Sequence, residues 1–182
     1  MKKIFYTVIF CLPFLVYSQS TELKKQFAIE ASILSLGASY ELPLSKKILT
    51  EFSAGIGASN IKDYGLSMGI NFGEYTPYTK IGLRRYYNRD NRERKGKDIS
   101  YNRGNFLGIQ NKILYGNDAL NGVTMISELH WGIQTEIAKN FLFSFHVGLG
   151  HYYRKSNVRT DSDNYYSPIA PTLGLKIEYI LF

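Results

Sequence analysis

Apolar residues along most of this chain recur at every second position, the period of a strand with one apolar and one polar face. "FAIEASIL" puts Phe27, Ile29, Ala31 and Ile33 on one side and Glu30 and Ser32 on the other. "LGASYELPL" sets Leu36, Ala38, Tyr40 and Leu42 against Gly37, Ser39 and Glu41, and "ILTEFSAGIGAS" sets Ile48, Phe52, Ala54 and Ile56 against Glu51, Ser53, Gly55 and Gly57. "YTKIGLRRYY" alternates Ile81 and Leu83 with Lys80, Gly82 and Arg84. "FLGIQNKILY" alternates Leu107, Ile109, Ile113 and Tyr115 with Gly108, Gln110 and Lys112. In "VTMISELHWGIQTEI", Val123, Met125, Leu129, Trp131 and Ile133 oppose Glu128, His130, Gln134 and Glu136. In "FLFSFHVGLGHYY", Phe141, Phe143, Phe145, Val147 and Leu149 oppose Ser144, His146, Gly148 and Gly150. A last strand from about Ile169 carries Leu175, Ile177, Tyr179 and Leu181 against Lys176 and Glu178. The count is eight, with ten as the alternative because "LSMGINF" (66–72) also alternates.

Two architectures alternate this way. A soluble sandwich buries its apolar face, whereas a membrane barrel turns that face to lipid and encloses the polar one. The polar face carries glycine and charges of both signs, which suit a narrow lumen where cations and anions pair. Aromatic residues gather near strand ends, at Tyr86, Tyr87, Tyr115, Phe141, Tyr152, Tyr153, Tyr165, Tyr166 and Tyr179, as interfacial girdles require. The pattern therefore predicts an all-β, antiparallel, up-and-down transmembrane β-barrel. Its expected lumen network is Glu30, Glu51, Lys80, Arg84, Lys112, Glu128, His130, His146, Lys176 and Glu178.

The first residues fit that destination. Lys2 and Lys3 precede an apolar run from Ile4 to Val16, followed by small polar residues, the layout of a secretory signal peptide cleaved before Gln19. The run is shorter than the roughly 18–20 residues that span a bilayer as a helix. Residues 1–18 are read as the signal and 19–182 as one barrel domain. The single cysteine, Cys11, lies in the signal, which leaves the expected domain without disulfide or thiolate chemistry.

Composition adds a basic surplus. Lysine and arginine number 22 against 15 acidic residues. Much of the excess lies in 88–104, "NRDNRERKGKDISYNRG", with Arg89, Arg92, Arg94, Lys95, Lys97 and Arg103. Short turns normally face the periplasm and long loops the exterior. "PLSKK" (43–47) and "AKN" (138–140) are then periplasmic, and 58–75, 116–122 and 154–167 exterior. An even strand count puts both termini, and 88–104, on the periplasmic side. That segment reads either as a solvated turn with its cations near lipid head groups or as a docking site for an anionic periplasmic partner; nucleic acid is excluded by the compartment.

Two stretches resemble known patterns. "TLGLKIEY", with Thr172, Gly174, Ile177 and Tyr179, is similar to the carboxy-terminal signal read by the outer-membrane assembly machinery, and Phe182 supplies the terminal aromatic frequent in such barrels. "RRYYNRDNRERKGKDISYNRGNFL" resembles a segment of a family of small outer-membrane β-barrel proteins of Bacteroidota, through Arg84, Tyr86, Tyr87, Asn88, Lys95, Gly96, Lys97, Gly104, Asn105, Phe106 and Leu107. The N-terminal hairpin and "WGI" (131–133) match more loosely. The resemblance implies a fold, an outer-membrane location, and lipids and the assembly machinery as partners, but no activity.

Candidate chemistry is sparse. His130, His146, Glu128 and Ser144 share the inner face of adjacent strands, where a hydrolase would need serine, histidine and a carboxylate. A lumen polar network needs the same residues, and no compact metal spacing or phosphate-cradling loop is present. No cofactor or metal is expected. Three classes stay open: a structural or interaction barrel, a narrow channel, and a lipid-modifying enzyme. An eight-stranded lumen is just wide enough to be filled by side chains, which ranks the channel below the interaction barrel.

Overall fold

The computed structural model describes residues 23–63, 68–115, 122–156 and 169–182, with the backbone alone for 59–63, 68–74, 122 and 154–156. The expected signal peptide, Tyr165 and Tyr166 lie outside the described residues.

Eight antiparallel strands close into one up-and-down barrel. They are β1 (Gln26–Ser32), β2 (Ser35–Pro43), β3 (Ile48–Asp63), β4 (Met68–Tyr86), β5 (Gly104–Tyr115), β6 (Gly122–Ala138), β7 (Phe141–Ser156) and β8 (Ile169–Ile180). "LSMGINF" adds no ninth strand. It lengthens β4, which runs beside β3 beyond a bulge at Ala58/Asn60, so most of 58–75 is strand rather than exterior loop. The first hairpin turns at Ile33–Leu34. Closure is made by β1 on β8, from Ala28↔Ile180 to Ser32↔Lys176. Below that ladder Leu181 N–H donates to Phe27 O at 2.8 Å, Phe27 N–H donates to Phe182 O at 2.9 Å, and the Phe27 and Phe182 rings stack at 5.6 Å.

The strands are steeply tilted. Following the register from Phe27 through Tyr40, Phe52, Ile81, Asn111, Ser127 and His151 leads to Ile169, at the far end of β8 from where the path began. All of these residues lie on the outer face. That face is mostly apolar, with Ile29, Leu36, Ile56, Ile109, Leu129, Leu149, Leu173 and Ile177 all exposed; Asn111, Ser127, Thr79 and His151 interrupt it, and Ser127 Oγ donates to Asn111 Oδ1 at 2.6 Å. Along β8 it reaches from Tyr179 to Ile169, about 25 Å along the axis at a rise of about 3.3 Å per residue and a tilt of about 40°. Tyr40, Trp131, Phe141, Tyr179 and Phe182 mark its lower rim, and Tyr75, Tyr115 and Tyr153 its upper rim. Trp131 Nε1 donates to Tyr87 Oη at 2.7 Å on this rim. Tyr86 and Tyr152, expected in the girdles, point inward instead, because both share strand parity with lumen residues (Arg84 and Gly150).

The end that carries Leu23 and Phe182 is closed by packing. Leu23, Leu49, Tyr86 and Phe106 form one buried apolar cluster, and Ala28, Leu142 and Ile180 another, against which Tyr101 packs. Residues 88–104, read from the sequence as either a solvated turn or a docking site for an anionic partner, fold across this floor. A short helix, α1 (Arg89–Arg94), precedes a return strand-ward through Tyr101 and Asn102, both with positive φ (50° and 53°).

Candidate functional site

The lumen is organised in levels. Just above the apolar floor lies an ionic network of four carboxylates and three cations. Glu51, 1% exposed, receives Arg84 Nη2, Lys80 Nζ at 2.7 Å and Lys176 Nζ at 3.2 Å. Lys176 also reaches Glu30 at 3.2 Å and Glu178 at 2.9 Å. Arg84 Nη1 spans Glu41 Oε1 at 3.0 Å and Gln134 Oε1 at 2.9 Å, with its guanidinium 4.9 Å from the centre of the Phe106 ring. The surplus negative charge is met by neutral donors. Tyr78 Oη donates to Glu30 at 2.8 Å, Gln26 Nε2 to Glu41 at 2.7 Å, Asn102 Nδ2 to Glu41 at 2.8 Å, and Ser39 and Ser144 to the two oxygens of Glu178. Buried charges are tolerated only when both Coulombic and hydrogen-bonding needs are met, and here they are shared across seven strands, all but β5.

A second group lies on β6 and β7. Glu128 Oε1 is 3.2 Å from both His130 Nδ1 and His146 Nε2, and Gln110 Nε2 donates to Glu128 Oε2 at 3.0 Å. The imidazoles face each other at 4.7 Å between centroids. Neighbouring glycines make the space: a Cβ at Gly174 would overlap the His146 ring, and one at Gly108 would sit 2.5 Å from His130 Nε2. Gly174, noted in the terminal signal, therefore has a packing reason as well. Ser144 Oγ turns to Gln134 and Glu178 rather than to either histidine. Among the described residues no group of three or more His, Cys, Asp or Glu is arranged to hold a metal ion.

Lys112 departs from the expected network. Among the described residues it meets no carboxylate at ion-pair distance, and its Nζ lies 4.2 Å above the Tyr78 ring. The reason is position. Tyr78 crosses the lumen to Glu30, beneath Lys112, and its ring separates that ammonium from the carboxylates of the level below.

The basic segment divides. Arg89 is 1% exposed and its Nη1 donates to Arg103 O at 3.2 Å. Arg103 joins Asp98 at 2.5 Å, Ser100 Oγ at 2.7 Å, and Glu136 of β6. Asn102 is sealed in the floor: its amide donates to Lys24 O and Glu41, and its Oδ1 accepts from Lys24 N–H at 2.8 Å. Tyr101 Oη donates to Asn140, and Gln134 Nε2 to Tyr101 O. Arg94, Lys95 and Lys97 are exposed, and Arg92, half-buried, donates to Asp98 O. The Ser100 amide, donating to Asp98 Oδ1 at 2.7 Å, together with Arg103 beside it holds that carboxyl below its usual range. Asp90 is likewise lowered, chiefly by the hydrogen bond from Lys47 at 2.5 Å.

Of the expected signal residues, Thr172 and Gly174 face the lumen while Ile177 and Tyr179 face outward, and Phe182 caps the seam on Phe27. Glu41, Gln134 and Asn102 belong to the network although the pattern did not single them out as site residues. Glu41 was visible as an inward charge, but an inserted asparagine from a turn leaves no periodic signal. Comparison of the chain with family models, with curated proteins and with solved structures finds no match.

Proposed function

We propose that this protein is a small integral barrel of the outer membrane with a structural or interaction role, its lumen sealed and its periplasmic end basic. The outer face supports the membrane reading: an apolar band of about 25 Å between aromatic rims matches the lipid-facing band of such barrels. No helix among the described residues is long and apolar enough to cross a membrane, which leaves strands to do so. The observation that carries the role is the closed ionic network at the level of Arg84, Glu51 and Lys176, roofing an apolar floor plugged by Asn102. An ion crossing it would have to break several buried pairs in a low-dielectric interior. This ranks a solute conduit second. A lipid hydrolase is disfavoured by Ser144, whose hydroxyl is committed away from both histidines.

With the lumen closed, interaction falls to the surface. Lys24, Lys25, Lys46, Arg94, Lys95, Lys97 and Lys139 are exposed or half-exposed around the end that carries Leu23 and Phe182, a face suited to an anionic periplasmic partner or to anionic head groups. The test is twofold. The protein should fractionate with the outer membrane and run with heat-modifiable mobility, and purified protein in planar bilayers should give no steady conductance. Recovery in the soluble periplasm overturns the location, and a stable ion-selective current overturns the sealed lumen.

A further inference from the structure

The wall of the barrel is not level. β1 stops at Ser32, opposite Lys176, and β2 begins at Ser35, opposite Gly57. β8 continues to Ile169 and β3 to Asp63, and among the described residues no strand lies beside them on the side of the first hairpin. Above that hairpin the wall has a notch about three strand spacings wide, roughly 14 Å. The hairpin itself rises about 15 Å from Phe27 to Ile33, some 10 Å short of the apolar band measured along β8. The notch therefore opens within the upper half of that band.

Three details are fitted to this position. The turn is made of Ile33 and Leu34, not of the Gly, Asn or Asp that turns in water prefer, and Ile33 is 61% exposed. Its polar groups are satisfied locally: the Ser32 and Ser35 hydroxyls bond each other at 2.6 Å, and Leu34 O accepts from Ala58 N–H at 2.7 Å. Along β8, Ile180 N–H points to β7 and Leu181 N–H to β1. Odd positions thus face the missing neighbour, and one of them, Pro171, has no N–H to leave unpaired.

Behind the notch, the upper lumen holds polar groups that the protein does not satisfy. Lys112 on β5, across the barrel from β1, makes no ion pair among the described residues; it stands over the Tyr78 ring, with Glu30 and Glu128 in electrostatic reach but not in contact. Thr76 is 1% exposed and its Oγ1 has no hydrogen-bond partner among the described residues; neither has Thr172 Oγ1. All three face inward, with Leu114, Ile126 and Ala170 as apolar neighbours on the same face. An ammonium with no ion pair in contact has room for a closer counter-charge, and buried hydroxyls left unpaired are costly.

We propose that the notch is the lateral mouth of a binding site for a single-chain amphiphile, a long-chain carboxylate. Its headgroup pairs with Lys112 and takes the hydroxyls of Thr76 and Thr172, and its alkyl chain leaves between β3 and β8 into the surrounding apolar medium. A carboxylate has two acceptor oxygens with room for all three donors; a neutral ester leaves the ammonium uncompensated. The inference rests on the membrane reading above, and heat-modifiable mobility checks that reading separately for every variant used.

The test is binding of a long-chain carboxylate and of its methyl ester to protein in lipid nanodiscs. The carboxylate should bind at least tenfold more tightly than the ester, and Lys112→Met should remove that preference while leaving mobility unchanged. The geometry has its own readout. Fluorophores attached at Leu173→Cys, on the notch edge, and at Leu129→Cys, on the closed opposite wall, are compared using a chain-brominated carboxylate. Quenching at 173 at several-fold lower ligand concentration supports the lateral exit. Equal quenching at both positions means simple partition into the bilayer and overturns it, as does equal affinity for acid and ester or an unaffected Lys112→Met. If the unmodified protein shows no heat-modifiable mobility, the membrane reading itself has failed.

Discussion

Lys176 and Lys112 both point into the same barrel, yet their surroundings are opposites. Lys176 lies within 3.2 Å of three carboxylates. Lys112 meets an aromatic face and, among the described residues, no carboxylate at ion-pair distance. The difference extends to their levels of the lumen. Below, every cation is bridged and the carboxylates are shared, so the side chains lock one another. Above, an ammonium and two hydroxyls are left with spare capacity, beside a wall with strands missing. Unpartnered buried groups occur at both levels, Gln26 Oε1 and Ser53 Oγ below as well as the two threonines above, so the contrast lies in the cations: those below are bridged and Lys112 is not.

Mutation can break this contrast. The largest effect is expected at Arg84→Ala, which leaves buried Glu41 without a cation among the described residues and Glu51 with its two lysines alone: about 3–5 kcal/mol of unfolding free energy, read from denaturant melts in detergent. Lys112→Ala in the same assay should cost no more than about 1 kcal/mol, the scale of one cation–π contact. Equal losses would show that Lys112 is as integrated as Arg84. Next comes the floor. Asn102→Ala removes the amide bonds to Glu41 and Lys24 and places a Cβ-bearing residue without a capping side chain at positive φ. About 2–3 kcal/mol should follow, with faster proteolysis within 88–104 as the second readout.

Smaller effects should divide the basic segment itself. Arg103→Ala, losing Asp98, Ser100 and Glu136, should loosen the loop measurably in hydrogen exchange, whereas Arg94→Ala should stay within about 0.5 kcal/mol of the parent. The smallest is a pH dependence. The Asp98 carboxyl is held below its ordinary value, so its contribution is complete above the unfolded pKa of about 3.9 and is lost as pH falls through the lowered folded value. Loop protection should thus be flat from neutral pH down to about 4 and decline only below it. Asp98→Asn should flatten that decline, and protection lost near pH 6 would point to another group.

Much of this was legible in the residues. Period-two patterning is local and strict, and it gave the strands, their inward and outward faces and the inward position of every charge discussed. It also showed which charges neighbour one another, since strand order in an up-and-down barrel follows the chain. What stayed hidden depends on depth rather than parity. Tyr86 and Phe106 share parity with Arg84 and Gly108, which turns them inward, but parity does not reveal that they lie deep enough to close the floor. Lys112 has the same parity as Lys80, and nothing in the chain reveals that the Tyr78 ring lies between it and Glu30. Asn102 acts from a turn, where no period operates. The notch follows from the register of unequal strands, which no local pattern reports.

The short first hairpin has a kinetic side as well. Seven of the eight ladders join strands adjacent in the chain, and each can form by local zipping. The eighth joins residues as distant as Ala28 and Ile180, so its closure carries the largest loop entropy and should come last. Because β1 is short, that seam is also brief, ending at Ser32↔Lys176. It is held at its lower end by the Phe27–Phe182 stack and at its upper end by Lys176, whose ammonium grips carboxylates from β1, β3 and β8 at once. The barrel thus has one line along which it is the last to join and the first to part, and an aromatic clasp and a three-way ion pair stand at its two ends.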